Sequence, residues 1–268
     1  MKLFSIFGDP VSHSRSPLMH NCVFKNLNYD ACYTRTHLLD GTKLKETFFS
    51  LGLSGANVTV PHKEAAFNAC DEVRGFATKI GAVNTLINEG GKLIGYNTDA
   101  HGFMYAIDEF RKDFNQKPTA LVIGAGGTGK ALAEILTIHL LDVTVLNRSE
   151  KSADFFKQLN IKYFTHKNFK IDHKYDLVVN TTSAGLKDEE LPAPKEMIED
   201  ILDNTSFVAD AIYGKLTPFL KLAKEKNITF KDGADMLLGQ GVLANELFVN
   251  RELKKEDIKK HMKESFSL

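Results

Sequence analysis

Short apolar runs bounded by turn residues alternate with segments of helical periodicity along almost the whole chain, the pattern of βαβ units that feed mainly parallel sheets. The first set opens with LFSIFG (3–8), followed by a helix announced by Ser16 as N-cap and Pro17 at the first helical position. Strand-like YDACYTRTHL (29–38), a helix near 41–51, strand-like GANVTV (55–60) and helical turns around 63–80 follow. AVNTLI and KLIGYNTD then flank Glu89-Gly90-Gly91, the mark of a hairpin.

A second set begins at LVIGAG (121–126), which runs into a helix near 127–140, then DVTVLN (142–147), a helix at 149–160 and a short strand near 162–165. DLVVNTT (176–182) and FVADAIY (207–213) are near-continuous apolar runs, as expected of strands covered on both faces in a doubly wound sheet. Helix resumes at 234–249 and 254–266; the last segment, KKEDIKKHMKESF, is charged on most faces and reads as a solvated surface helix. No Pro/Ser-rich linker or internal repeat separates the sets, which places the joint in a helix at 100–114.

Composition narrows the class. At about 100–200 residues per domain, 268 residues make about two domains, and 43% hydrophobic with 25% charged residues is ordinary globular usage. Lys+Arg and Asp+Glu both number 34, so the surplus of bases that a nucleic-acid partner requires is missing. The three cysteines form no CxxC or Cys/His cluster, which points to reduced thiols in a cytosol and to no metal site. Asp9 and Pro10 break the N-terminal apolar stretch before a signal-peptide core forms, and no run approaches the roughly 18 apolar residues of a membrane span.

Chemistry enters with Gly124-Ala125-Gly126-Gly127-Thr128-Gly129, a G-x-G-x-x-G between an apolar strand and a helix. Glycines there allow a tight turn, close backbone approach to a pyrophosphate, and close packing of helix on strand. Gly124 and Gly129-Lys130 also have P-loop spacing, but Ala131 stands where the Mg²⁺-binding hydroxyl belongs, so dinucleotide binding is the better reading. The following strand ends in Asn147-Arg148-Ser149, and Arg148 with Lys151 favours the 2′-phosphate of NADP over the bare ribose of NAD. An exposed arginine at a helix start is the bland alternative, and Glu150 takes the acidic role of an NAD site if the strand runs on.

Ser14 and Ser16 flank Arg15 before a helix, where hydroxyls and free N–H groups at a positive helix end suit a carboxylate; simple capping by Ser16 is the alternative. Lys63 and Asp99 each follow a strand end, the place where open α/β sheets hold ligands. Together such a pair holds and protonates an oxygen; apart, each is a surface ion-pair residue.

The motifs Ser14-Arg15-Ser16-Pro17, Asn57-Val58-Thr59-Val60-Pro61-His62-Lys63, Gly81-Ala82-Val83-Asn84-Thr85, Gly95-Tyr96-Asn97-Thr98-Asp99, the glycine loop, Asn147-Arg148-Ser149, Asn180-Thr181-Thr182-Ser183 and Asp232-Gly233-Ala234-Asp235-Met236-Leu237 through Gly239-Gln240-Gly241 resemble, in order and across the chain, the shikimate dehydrogenase family. The resemblance implies an N-terminal α/β substrate domain (1–100 with 235–268) and a Rossmann-like NADP-binding domain (101–234). It implies reversible, NADP-dependent reduction of 3-dehydroshikimate to shikimate, in the cytoplasm, by a monomer or homodimer. Lys63 and Asp99 then match the catalytic pair. Ser14, Ser16, Thr59, Lys63, Asn84, Asp99, Tyr213 and Gln240 match substrate-binding positions. Gly124, Ala125, Gly126, Gly127, Asn147, Arg148, Ser149, Lys151, Thr181 and Gly233 match cofactor-binding positions. Ser149 replaces the threonine common in the family. The rivals are an NAD-using quinate/shikimate dehydrogenase, a methylenetetrahydrofolate dehydrogenase of similar two-domain plan, and a non-catalytic NADP-sensing module.

Overall fold

Strand β1 (Lys2–Gly8) carries Phe4, Ile6 and Phe7 into the interior and seeds the first sheet of the computed structural model, which describes residues 1–268. It is followed by α1 (Ser16–Asn26), β2 (Ala31–His37), α2 (Leu44–Ser50), β3 (Gly55–Val58), α3 (Lys63–Ala69), β4 (Glu72–Val73), α4 (Ala77–Ile80), the hairpin β5 (Thr85–Glu89) and β6 (Lys92–Tyr96), and α5 (Asp99–Ala106). The strand order is β2-β1-β3-β5-β6-β4, with β1 parallel to β2 and β3, and β5 antiparallel to both of its neighbours, β3 and β6. The expected helical stretch 63–80 is two short helices with β4 between them, paired parallel to β6.

The second sheet runs through β7 (Thr119–Ile123), α6 (Gly127–Ile138), β8 (Asp142–Asn147), α7 (Ala153–Gln158), β9 (Lys162–Thr165), β10 (Tyr175–Asn180), α8 (Lys195–Asp203), β11 (Thr205–Asp210), α9 (Pro218–Glu225) and β12 (Thr229–Lys231). Its order, β12-β11-β10-β7-β8-β9, is parallel throughout, with the reversal of winding between β7 and β10. That is the doubly wound dinucleotide-binding topology, whose ligands sit at the carboxyl ends of the strands beside the reversal. Every residue of β10 is buried, which explains its near-continuous apolar run. Helix α9 adds to the elements that the periodicity predicts, although Thr217-Pro218 signals it: Thr217 Oγ1 accepts the Leu220 N–H at 3.2 Å, and proline occupies the first turn.

Helices α10 (Ala234–Phe248) and α11 (Lys255–Glu264) return to the first sheet. Two compact units result: Met1–Gly102 with Leu238–Leu268, and Phe103–Leu237. The chain leaves the first unit within α5 and re-enters it within α10. Phe248 lies against β3 because Gly55 has no side chain; a Cβ there would stand 2.8 Å from its ring.

Two expectations are corrected. The N-cap of α1 is Arg15, and Ser16 is the first helical residue without a side-chain cap; Ser14 Oγ takes the Ser16 N–H at 3.3 Å instead. Helix α11 is not solvated all round, because Ile258 and Met262, one turn apart, are fully buried where it packs on α1. Ile258→Ala therefore lowers stability by about 2–4 kcal/mol, read from the urea midpoint, whereas a merely solvated helix would tolerate it.

Candidate active site

The turn after β3 and the end of β6 bring Lys63 and Asp99 together. Lys63 Nζ donates to Asp99 Oδ2 at 2.6 Å, and the side chains are 14% and 8% exposed. Lys63 begins α3, and His62 before it is buried, with Nε2 bonded to the Leu38 carbonyl at 2.5 Å. Asp99 begins α5; its N–H donates to Asn97 Oδ1 at 3.0 Å, and Asn97 Nδ2 donates to the Ala82 carbonyl at 3.1 Å. Asn84 Oδ1 accepts the Thr98 N–H at 2.9 Å, which turns Nδ2 toward Asp99 Oδ1 at 2.8 Å. Asn84 is only 2% exposed.

The hairpin register builds this cluster. Thr85 pairs with Tyr96 on one side and with Asn57 on the other, so Asn84 lies beside Thr98 and the strand end leading to Lys63. Asn57 Nδ2 donates to the Asn84 carbonyl at 3.1 Å and to Thr85 Oγ1 at 3.2 Å, and its Oδ1 accepts from Tyr33 at 2.7 Å. Thr59 is half-buried beyond β3, over Gly8, where a Cβ would stand 2.4 Å from its methyl.

At the start of α1, Ser14 and Ser16 are 5% and 4% exposed with their hydroxyl oxygens 3.3 Å apart. Ser16 also reaches the Tyr33 hydroxyl, and burial pushes that phenol well above its ordinary value. Gln240 approaches α5 through Gly102, where a Cβ would meet the Gln240 backbone nitrogen at 2.5 Å; this glycine carried no signal in the sequence. The buried His20 ring stacks on Tyr33 with centroids 4.4 Å apart, bonds Asn245 through Nδ1 at 2.8 Å, and is held down to a pKa of about 3 by burial. Its neutral form is favoured in the folded state, so its contribution is complete above the unfolded value near 6.5 and drains away as pH falls. Between about pH 7.5 and pH 5 the unfolding free energy falls by about 2 kcal/mol on this account, and the slope is absent in His20→Gln.

In the second unit the glycine loop joins β7 to α6. Gly124 has φ +109°, which favours glycine, and Gly126 caps α6 with nothing within 4 Å of a Cβ placed on it. Gly129 lies so close to the Gly124 carbonyl that a Cβ would stand 2.2 Å from it. These are the turn, the open approach and the close packing that a pyrophosphate loop needs, and Ala125 and Gly127 lie within it. Thr181, following β10, donates Oγ1–H to the Ile123 carbonyl at 2.9 Å and so borders the loop.

Strand β8 ends at Asn147, three residues before Glu150, so the strand-end position that an acid takes in NAD sites belongs to Asn147 with Arg148 next. Arg148, Ser149 and Lys151 are exposed there. Asn147 Nδ2 donates to the Ser149 carbonyl at 3.0 Å and fixes the turn. Lys130, early in α6, lies 5.2 Å from the Phe155 ring centroid. The residues present therefore fit a dinucleotide carrying a 2′-phosphate.

Tyr213 lies outside the strand expected to carry it, since β11 ends at Asp210. Asp210 takes the Ile212 N–H at 2.9 Å and the Thr217 hydroxyl at 2.8 Å, and burial pushes its carboxyl up. Gly233 closes the loop: its N–H donates to the Ile212 carbonyl at 2.9 Å, and a Cβ would meet the Ala211 oxygen at 2.3 Å. No group of three or more His, Cys, Asp or Glu is arranged to hold a metal ion.

A doubly wound dinucleotide unit and a buried ammonium–carboxylate pair at strand ends define a pyridine-nucleotide oxidoreductase. The family model for the shikimate dehydrogenase substrate binding domain matches residues 6–86. Shikimate dehydrogenase (NADP(+)) of Helicobacter hepaticus is 42% identical over 256 residues, spanning 95% of this chain and 94% of that protein. The enzyme of the same name from Helicobacter pylori strain P12 is 44% identical over 252 residues, 92% of each. The structure of shikimate 5-dehydrogenase from Thermus thermophilus in complex with NADP(H) and shikimate superposes with a TM-score of 0.83 at 31% identity, covering 99% of this chain and 100% of that one. The chain belongs to the shikimate dehydrogenase family.

Proposed function

We propose that this chain catalyses the NADP-dependent, reversible reduction of 3-dehydroshikimate to shikimate, and that the Lys63–Asp99 contact at 2.6 Å is its proton-handling centre. The first unit is the substrate and catalytic domain, and the second binds NADP. Bound NADPH supplies the hydride for the ring ketone. What the chain itself does is handle the charge that remains: the former ketone oxygen needs a proton, and the Lys63 ammonium is the donor at hand. Asp99 orients that ammonium, and Asn84 orients Asp99. Ser14 and Ser16 take the carboxylate as hydroxyl donors at the start of α1, while Thr59 and Gln240, in the same unit, hold the ring hydroxyls. Balanced charge and three free thiols support a cytoplasmic enzyme with a small-molecule substrate, acting as monomer or homodimer.

The test is absorbance at 340 nm with shikimate and NADP⁺, run against quinate and NAD⁺. Turnover with shikimate and NADP⁺ that far exceeds the other combinations supports the assignment; no turnover with any of them would return the chain to a sensing role. Arg148→Ala raises KM for NADP⁺ by about tenfold or more and leaves that for NAD⁺ nearly unchanged, since a phosphate contact is lost. Equal losses for both cofactors would remove Arg148 from phosphate recognition.

A further inference from the structure

We propose that Arg35, on β2, is a positioning residue for the substrate carboxylate and supplies the positive charge that the serine subsite lacks. The proposal rests on reading Ser14 and Ser16 as that subsite. Both serines are nearly buried and neutral, so a carboxylate entering there gives up water for hydroxyl donors that offset the loss only in part. A nearby cation completes the compensation.

Two arginines stand beside the serines, Arg15 between them in the chain and Arg35 on the neighbouring strand, and they make different contacts. Arg15 donates from Nη2 to the Ser265 carbonyl at 2.8 Å and lies 5.7 Å from the Phe266 ring centroid, so it serves the docking of the C-terminal segment. Arg35 instead ends on the subsite. Its Nε and Nη2 both donate to the Ser14 carbonyl oxygen, at 3.0 and 2.6 Å. This two-pronged grip fixes the backbone of the residue that carries the first hydroxyl. It also polarises the peptide between Ser14 and Arg15, making the N–H at the entry to α1 a stronger donor.

Both hydrogen bonds of Arg35 go to a neutral backbone oxygen rather than to an acid. Asp9, just past the end of the facing strand β1, is bonded to His37 at 2.7 Å. Arg35 is exposed, so its attraction is screened by salt.

The test uses the full chain with Arg35→Met and Arg35→Lys, and as probes shikimate and its uncharged methyl ester, with binding read by calorimetry beside steady-state kinetics. Arg35→Met is expected to raise KM for shikimate about tenfold while kcat falls less than about threefold; Arg35→Lys, which keeps charge but not the fork, raises it about threefold. Ester affinity stays within about twofold, and the rise of shikimate KM between about 20 mM and 500 mM NaCl seen in the parent flattens in Arg35→Met. An unchanged shikimate affinity in Arg35→Met, or equal losses for acid and ester, overturns the proposal. Absence of turnover in the parent chain would instead defeat the underlying functional reading, and the acid-versus-ester comparison by calorimetry would still decide the role of Arg35.

Discussion

Lys63→Ala lowers kcat for shikimate oxidation by about a thousandfold, within the 10²–10⁴ range that a positioned acid or base supplies, equivalent to about 4 kcal/mol of barrier. The expectation follows from burial and geometry together. The Lys63 side chain is 14% exposed, and its ammonium is held at 2.6 Å by a carboxylate that Asn84 bonds in turn. Truncation also strips a nearly buried Asp99 of its counter-charge, so stability falls as well. Two controls separate the effects. Asp99→Asn keeps a side chain of the same shape and lowers kcat by about a hundredfold, whereas Lys63→Ala/Asp99→Asn recovers stability without recovering turnover. NADP⁺ affinity, read by calorimetry, stays near the parent value in each. A Lys63→Ala enzyme within tenfold of the parent kcat would remove Lys63 from the chemistry.

Gly129→Ala weakens NADP⁺ binding by about a hundredfold and destabilises the second unit, because the added Cβ would stand 2.2 Å from the Gly124 carbonyl oxygen. That oxygen is backbone and cannot swing aside, so α6 must shift off the turn and carry its first N–H groups away from the pyrophosphate. Gly126→Ala is the informative partner. Its φ of −76° is open to any residue, and no atom lies within 4 Å of the new methyl, so stability is unchanged while the methyl stands where the pyrophosphate approaches. Calorimetric NADP⁺ titration with thermal melts reads both quantities. Equal stability losses in the two variants, or unaltered NADP⁺ affinity in both, would show that the loop does not cradle the cofactor.

What the sequence discloses and what it conceals divide along physical lines. Strands β7, β10 and β11 are visible because burial along most of their length leaves near-continuous apolar runs, and the glycine loop is visible because its three glycines meet three separate steric demands at fixed spacing. Helix α11 deceived because a pair of apolar residues one turn apart is outweighed, in any average, by the lysines and glutamates around it. The cap of α1 shifted by one residue because Ser14, rather than Ser16, supplies the acceptor oxygen. Harder still were the residues around the charged pair. Asn57 meets Thr85 only through the β3–β5 register, and Tyr33 meets Asn57 across the sheet, so their roles depend on long-range pairing that local pattern does not encode. Gly102 is silent for the same reason: its purpose is the nearness of a helix far along the chain.

That nearness bears on how the protein is made. The unit containing Lys63 and Asp99 is assembled from both ends of the polypeptide, with the whole nucleotide-binding sheet set between them. On the ribosome, the inserted sheet is complete before α11 has emerged to cover α1, so the middle of the chain is free to fold first while the beginning waits for the end.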